Sequence, residues 1–359
     1  MRIAFYAPMK PASSPIPSGD RRMARALIAA LESRGHQVEV VSEFSSYLGQ
    51  PDALAVRNLC AQGYAMANDL VRAFRAKDPA TRPDLWFTYH VYYKAPDWLG
   101  PIASGGLGIP YVVAEASFAP KHAGGPWEIN LIGVEASIRR ADLIFGLNSA
   151  DTECVLPFLK SRDHLVALQP FVPPRPAAMR TETGGPVRLL TVAMMRAGAK
   201  LESYRVLAAA LSRLPPAGWH LTIAGDGPVE AEVRALFARM SVTFTGRVDE
   251  DQLATLYAEA DLFVWPAVNE AYGMAILEAQ QAGLPVVAGA SGGVGDIVSD
   301  GETGLLIRPN DPAAVCEATA ALMADPARRR NMGMAAAQKA DGFKVAADLI
   351  DDKLRALVP

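Results

Sequence analysis

Little in this chain of 359 residues could build a metal centre or a covalent staple. It has 3 cysteines, Cys60, Cys154 and Cys316, odd in number, far apart and without a CxxC pair. That usage excludes a disulfide framework and fits a reducing, cytoplasmic setting. The 5 histidines are scattered without ligand spacing, so no metal site is expected from them. Basic excess is missing too: 35 basic against 38 acidic residues leave a net charge of -3, which argues against a nucleic-acid binder. No apolar run approaches the roughly 20 residues that span a bilayer. Residues 1–7, Met-Arg-Ile-Ala-Phe-Tyr-Ala, are too short a run for a signal peptide and read as a first strand. Neither a G-x-S-x-G elbow nor a catalytic-cysteine context occurs.

What is present is a repeated alternation. Strands are expected at residues 2–7, 37–42, 84–90, 111–114, 143–147 and 165–168, with helical patterns between them, the first over about 20–34 and closed by Gly35. Residues 171–186 change to Pro-Pro-Arg-Pro and Thr-Gly-Gly-Pro, which is linker composition. A second series follows, with strands at 188–192, 220–224, 242–245, 262–266 and 284–288 and helices at about 201–214, 229–240 and 252–260. Helices at about 312–323, 326–340 and 344–357 finish the chain. Such alternation predicts an α/β protein of two doubly wound parallel-sheet, Rossmann-like domains facing across a cleft. The boundaries fall at 1–170 and 187–342, and the helix at 343–359 is expected to pack back on the first domain.

The most informative stretch is Glu270-Ala-Tyr-Gly-Met-Ala-Ile-Leu-Glu278. It lies between two buried strands, at the sheet edge where open α/β folds bind ligands. If the helix starts after Gly273, Glu278 projects one turn beyond Met274 while Glu270 stays on the preceding loop. Two hydroxyl-binding acceptors then flank a helix N-terminus that attracts phosphate. A sugar diphosphate ester of a ribonucleoside presents hydroxyls, phosphates and hydroxyls in that order.

Around this pair stand Ile223-Ala-Gly-Asp-Gly-Pro228, Phe244-Thr-Gly-Arg-Val248, Ala260-Asp-Leu-Phe-Val264, Gly283-x-Pro-Val-Val-Ala288, Gly292-Gly293 and Asp300-Gly-x-x-Gly-Leu-Leu306. In order and spacing the second half resembles the donor-binding domain of family 4 glycosyltransferases, retaining, metal-independent enzymes of the GT-B fold. The first half matches mainly in organisation, with Arg34-Gly-His-Gln-Val38. The resemblance implies that Glu270 binds sugar hydroxyls and Glu278 the ribose. It implies that the main-chain N–H groups of Tyr272, Gly273 and Met274 meet the phosphate or sugar, and that Arg247 and Val248 meet the base through their main chain. Arg196 and Lys200 stand where the family has a basic pair against the diphosphate. Aligned on the strand, however, Met194 occupies the arginine's usual place and Arg196 sits two residues later. Gly19, in Pro17-Ser-Gly19-Asp20, falls where the family often has a Gly-Gly loop. A strand-tip histidine of the family falls on Ala116, so either Glu115 takes over a sugar contact or the role is absent. His90 matches another strand-tip histidine and is the candidate acceptor-side group.

Other features have plainer readings. Gly225-Asp-Gly227 is equally a donor-lining loop or a tight strand-to-helix turn. Asp249-Glu-Asp251 superficially matches a metal-binding DXD but sits where acids cap a helix. His36, His164 and His220 read as structural, and His122 stays open, on a loop that could close over a substrate. Arg21, Arg22 and Arg25 could touch anionic lipid at the inner face of the membrane, although three charges are more often a solvated face. The expected activity is therefore hexosyl transfer from a UDP- or GDP-sugar to an unidentified acceptor, with no other cofactor. Its rivals are a sugar-nucleotide epimerase or hydrolase of the same fold and a catalytically silent sugar-nucleotide-binding module.

Overall fold

Buried apolar strands alternate with helices that cover them from the first residues onward. The computed structural model describes residues 1–16, 18–174, 185–270, 273–340 and 342–358. The chain divides into two units, Met1–Pro170 with Phe343–Pro359, and Phe171–Gly342.

The first unit runs β1 (Arg2–Tyr6), α1 (Gly19–Ser33), β2 (Gln37–Ser42), α2 (Ala53–Ala76), β3 (Leu85–Val91), α3 (Gly100–Leu107), β4 (Tyr111–Ala116), α4 (Glu128–Arg140), β5 (Leu143–Gly146), α5 (Ser149–Val155) and β6 (Leu165–Ala167). Its six strands are parallel in the order β2-β1-β3-β4-β5-β6. The strands β3 and β4 are buried almost throughout, as strands covered on both faces must be. Sequence direction reverses between β1 and β3, so the loops leaving their carboxyl ends part there.

A buried carboxylate ties the centre of this unit. Asp97 is 2 % exposed and accepts from Thr88 Oγ1 at 2.6 Å, Tyr111 Oη at 2.8 Å, and the N–H groups of Leu99 and Gly100 at 2.8 and 2.7 Å. Burial raises its pKa, and these hydrogen bonds to the carboxylate oppose that rise.

The second unit runs β7 (Val187–Val192), α6 (Ala199–Leu211), β8 (Trp219–Ala224), α7 (Glu230–Leu236), β9 (Val242–Gly246), α8 (Glu250–Glu259), β10 (Leu262–Trp265), α9 (Met274–Gln281), β11 (Val286–Gly289), α10 (Val294–Ile297), β12 (Gly304–Ile307), α11 (Pro312–Ala324) and α12 (Pro326–Ala340). The sheet order β12-β11-β10-β7-β8-β9, all parallel, is that of a doubly wound nucleotide-binding fold, with its reversal between β7 and β10. The last helix, α13 (Phe343–Leu357), packs on α1 of the first unit through Ala346, Ala347, Ile350 and Leu354. Asp348 pairs with Arg34 at 2.7 Å, and Asp351 Oδ1 lies 2.8 Å from His36 Nε2.

The strand β12 falls within the Asp300-Gly-x-x-Gly-Leu-Leu306 motif, to which no strand was assigned from the sequence. Four residues opening on glycine carry too little alternation to mark a strand, yet Gly304 is needed because a Cβ there would stand 2.4 Å from Val286 O on β11. The linker expected at 171–186 lies mostly outside the described residues.

Candidate active site

At the reversal of the second sheet, two loops converge. The segment after β7 leads to Lys200 in the first turn of α6, and the segment after β10 carries Glu270. Lys200 Nζ pairs with Glu270 Oε2, their side chains only 22 % and 16 % exposed. The same oxygen accepts from Trp265 Nε1 at 3.2 Å, and Lys200 Nζ stands 5.3 Å from the indole ring. The backbone around Glu270 is held as well: its N–H donates to Ser291 Oγ at 3.3 Å, and Val268 N–H donates to Ser203 Oγ at 2.9 Å. Ala267 and Asn269 take left-handed conformations, with φ of 52° and 49°. Non-glycine residues occupy that region rarely and cluster at ligand-binding loops.

Gly273 has φ 76° and opens α9, so the left-handed turn falls on the residue type that tolerates it. Met274 follows with its side chain buried. The first N–H groups of a helix have no acceptor within it, which keeps those of α9 available to an anion. Tyr272 lies outside the described residues. Glu278 sits deeper than an open ribose-binding side chain: it is 3 % exposed, and its Oε2 accepts from Tyr257 Oη of α8 at 3.0 Å. Trp265, Tyr257, Ser203 and Ser291 are site residues that sequence reasoning missed; only Trp265, a polar-tipped ring ending a buried strand, gave a signal.

The glycines after β8 have a structural explanation. Gly225 has φ 142°, and a Cβ on it would stand 2.0 Å from Ala193 O; on Gly227 it would stand 2.2 Å from Met195 O. The two loops touch backbone to backbone, with Met195 N–H donating to Asp226 O at 2.7 Å. Gly225 therefore positions the segment that carries Arg196 and Lys200. Arg196 is exposed and makes no side-chain hydrogen bond or ion pair among the described residues. After β9 the chain turns at Gly246, exposes Arg247, half-buries Val248 and enters α8. There Asp249 and Gln252 form a reciprocal capping box, so the Asp249-Glu-Asp251 run is a helix start.

In the first unit another polar group collects at the reversal between β1 and β3. Gly19 and Asp20 open α1, and Asp20 binds Lys10 and accepts from Ser18 Oγ at 3.0 Å. His90, at the tip of β3, places Nδ1 3.4 Å from Asp20 Oδ1 and 3.8 Å from Glu115 Oε2. Burial alone would raise the Asp20 carboxyl, but His90 and then Lys10 hold it well below the usual carboxylate range. His90 and Glu115 are both left-handed, φ 64° and 63°, and lie opposite each other because Tyr89 pairs with Ala114 and Val91 with Ala116. Ala116 is 4 % exposed in the apolar core, so Glu115 is the residue that β4 brings to the edge.

The basic face of α1 is engaged elsewhere. Arg21 donates to Pro11 O and Ile16 O at 3.2 and 3.0 Å, and Arg25 to Ala12 O and Ser14 O at 2.9 and 2.8 Å. These side chains fasten the loop after β1. His220 is tied to Ser241, just before β9, and to Thr243 on β9 at 2.8 and 2.9 Å, which makes it structural.

Two family models match these two units. That of the "Glycosyl transferase 4-like domain" covers residues 18–157, and that of the "Glycosyl transferases group 1" covers residues 186–325. The chain belongs to the family 4 glycosyltransferases. This glycosyltransferase is 28 % identical to the D-inositol 3-phosphate glycosyltransferase of Kribbella flavida over 356 aligned residues, 89 % of this chain and 81 % of that protein. It is 33 % identical to the sulfoquinovosyl transferase SQD2 of Arabidopsis thaliana over 168 residues, which are 46 % of this chain and 32 % of the longer plant protein. Among solved structures, Anabaena HepE in complex with UDP and glucose superposes with a TM-score of 0.68 at 18 % identity, covering 99 % of each chain. That likeness establishes the GT-B fold of the glycosyltransferase. Among its described residues no helix is long and apolar enough to cross a membrane.

Proposed function

We propose that this glycosyltransferase moves a hexose from a nucleoside-diphosphate sugar, UDP- or GDP-linked, to an acceptor hydroxyl with retention at the anomeric carbon and without a metal. The observation that carries the reading is the Lys200, Glu270 and Trp265 cluster at the reversal of the second sheet, beside the start of α9. The HepE complex, which holds UDP and glucose, supports a donor of this kind.

In this reading Glu270 accepts from the sugar hydroxyls, Glu278 from the ribose, and the main-chain N–H groups of Gly273 and Met274 face the phosphate. Arg247 and Val248 border the base, and Gly225 lets their neighbouring loop close on the segment after β7. Lys200 is already neutralised by Glu270, so a diphosphate gains its charge only by drawing it away. Arg196 carries no such debt among the described residues and meets the leaving phosphate. The bond from the anomeric carbon to the phosphate oxygen breaks as the bond to the acceptor oxygen forms on the same face. The acceptor's proton passes to the departing phosphate oxygen, which removes the need for an enzyme nucleophile. Catalysis is then positioning plus stabilisation of phosphate charge, each fixed donor contributing about 2.7 to 4 kcal/mol. His90 and the first unit serve the acceptor. Cys60, Cys154 and Cys316 form no disulfide among the described residues, as in a reducing compartment, and we assign the enzyme to the cytoplasm.

The test is a thermal-shift screen with UDP-, GDP-, ADP- and dTDP-sugars. A donor at one hundred times its Kd stabilises the protein by about 2.7 kcal/mol. A rise in melting temperature with a UDP- or GDP-sugar is expected, and no shift with any of them would remove the reading.

A further inference from the structure

The loop after β3 carries a row of rings that the transfer chemistry of the second unit does not use. Tyr92 lies 4.9 Å from His90 and 5.5 Å from Tyr93, whose ring in turn lies 4.2 Å from His122 at 31° and 5.4 Å from Trp127 at 81°. Trp127 is buried and serves as a footing, whereas Tyr92, Tyr93 and His122 stay half-exposed at the rim.

Their backbone is immobilised. Ala95 N–H donates to Tyr92 O at 2.8 Å, Asn130 Nδ2 to Tyr93 O at 2.8 Å, and Leu48 N–H to Lys94 O at 2.9 Å. Each carbonyl of the ring-bearing segment thus has its own donor, one within the turn, one from α4 and one from the loop after β2, so the platform is set before anything docks on it. Preorganisation of this kind lowers the entropy lost on binding. Asp20, His90 and Glu115 stand beside the row, with both carboxylates within 3.8 Å of the His90 imidazole.

We propose that this row is the acceptor site and that its ligand is a neutral pyranose ring; the inference rests on the transferase reading for the word acceptor alone. A pyranose has an apolar C–H face that covers an aromatic ring and an edge of hydroxyls that donate to carboxylates. A phosphorylated acceptor fits less well, because the cations on the Asp20 side of the row are engaged. Lys10 holds Asp20 and Ser18, Lys94 lies 5.8 Å from the centre of the Tyr93 ring, and Arg21 and Arg25 hold loop carbonyls.

The experiment titrates the full chain with methyl α-D-glucopyranoside, methyl α-D-mannopyranoside, methyl β-D-galactopyranoside and glycerol 3-phosphate, followed by saturation-transfer NMR. UDP-glucose and GDP-mannose are titrated separately. At least one methyl glycoside binds more tightly than glycerol 3-phosphate, Tyr93→Ala weakens it tenfold or more, and Tyr93→Phe stays within twofold of wild type. Glu115→Gln, which preserves the side chain's shape, weakens the same glycoside and covers the case in which Tyr93→Ala does not fold. Nucleotide-sugar affinity is unchanged in the folded Tyr93 variants. The proposal is overturned if no glycoside binds, if glycerol 3-phosphate binds more tightly, or if a bound glycoside ignores both Tyr93→Ala and Glu115→Gln. A protein that binds a glycoside through Tyr93 but no nucleotide sugar keeps this site and loses the transferase reading; the reverse pattern loses only this site.

Discussion

Replacing Gly225 by alanine should damage both the stability of the second unit and its affinity for a donor. The new Cβ would stand 2.0 Å from Ala193 O, where real Cβ contacts essentially never fall below 3.0 Å, so the two loops must separate by about 1 Å. Three hydrogen bonds lie across that seam: Ala193 N–H to Ala224 O at 3.1 Å, Met195 N–H to Asp226 O at 2.7 Å and Val229 N–H to Met195 O at 3.2 Å. Losing two of them costs about 2 kcal/mol, and forcing alanine to φ 142° adds about 1 to 3 kcal/mol. For a unit of this size, about 3 kcal/mol corresponds to a fall in melting temperature of roughly 6 to 12 °C. Gly246→Ala is the control, because φ is 66° and no atom lies within 4 Å of the added Cβ, so it should lose only about 1 to 2 kcal/mol. Calorimetry of both variants, with UDP- or GDP-sugar titrations, reads the difference. The seam also positions the segment bearing Arg196 and Lys200, so donor affinity should fall with Gly225→Ala at temperatures where it remains folded. A Gly225→Ala protein that melts within about 1 °C of wild type and binds donor normally would refute the packing argument.

Other outcomes are equally open to measurement. Arg196→Ala should lower turnover by roughly two orders of magnitude, and near-wild-type kinetics would move the phosphate role to another cation. Addition of a chelator should leave turnover intact, whereas loss restored by a divalent ion would contradict metal-independent chemistry. Asp97→Ala strands buried donors on Thr88, Tyr111, Leu99 and Gly100 and should destabilise the first unit by about 3 to 5 kcal/mol in urea unfolding; a loss below about 1 kcal/mol would contradict that network. Burial, with the N-terminal ammonium beside it, lowers the pKa of His36 from 6.5, against the opposing pull of Asp351. The neutral ring's contribution is full above about pH 6.5 and is lost as pH falls through the depressed folded value, so α13 should lose amide protection on acidification. Equal protection factors in α13 at pH 7.5 and 5, each corrected for the intrinsic exchange rate at that pH, would count against this.

Much of the scaffold was legible because each βαβ unit writes its own local pattern. Gly35 and Gly273 mark element ends within a few residues of where they occur. The pairings that shape the site were not legible. Lys200 meets Glu270 across 70 positions, and Tyr257 reaches Glu278 across 21, distances over which no periodicity speaks. The arginines of α1 look like a charged surface in sequence, and only the return of residues 11–16 shows the carbonyls they hold. Gly225 was half-read: a tight turn was one of two equal readings, but the need for glycine comes from Ala193 in the segment after β7. At β4, the alignment pointed to Ala116, while the left-handed turn at Glu115 delivers the neighbouring side chain instead. Such a one-residue shift is invisible until register is known.

The most direct test of the transfer chemistry is NMR-monitored turnover of a UDP- or GDP-sugar with and without a glycoside acceptor, reading nucleoside diphosphate release and the anomeric coupling of the product together. Diphosphate should appear in quantity only when the acceptor is present, and the product should keep the donor's anomeric configuration. An inverted product, or donor consumed equally fast without acceptor, would contradict retaining glycosyl transfer by this enzyme.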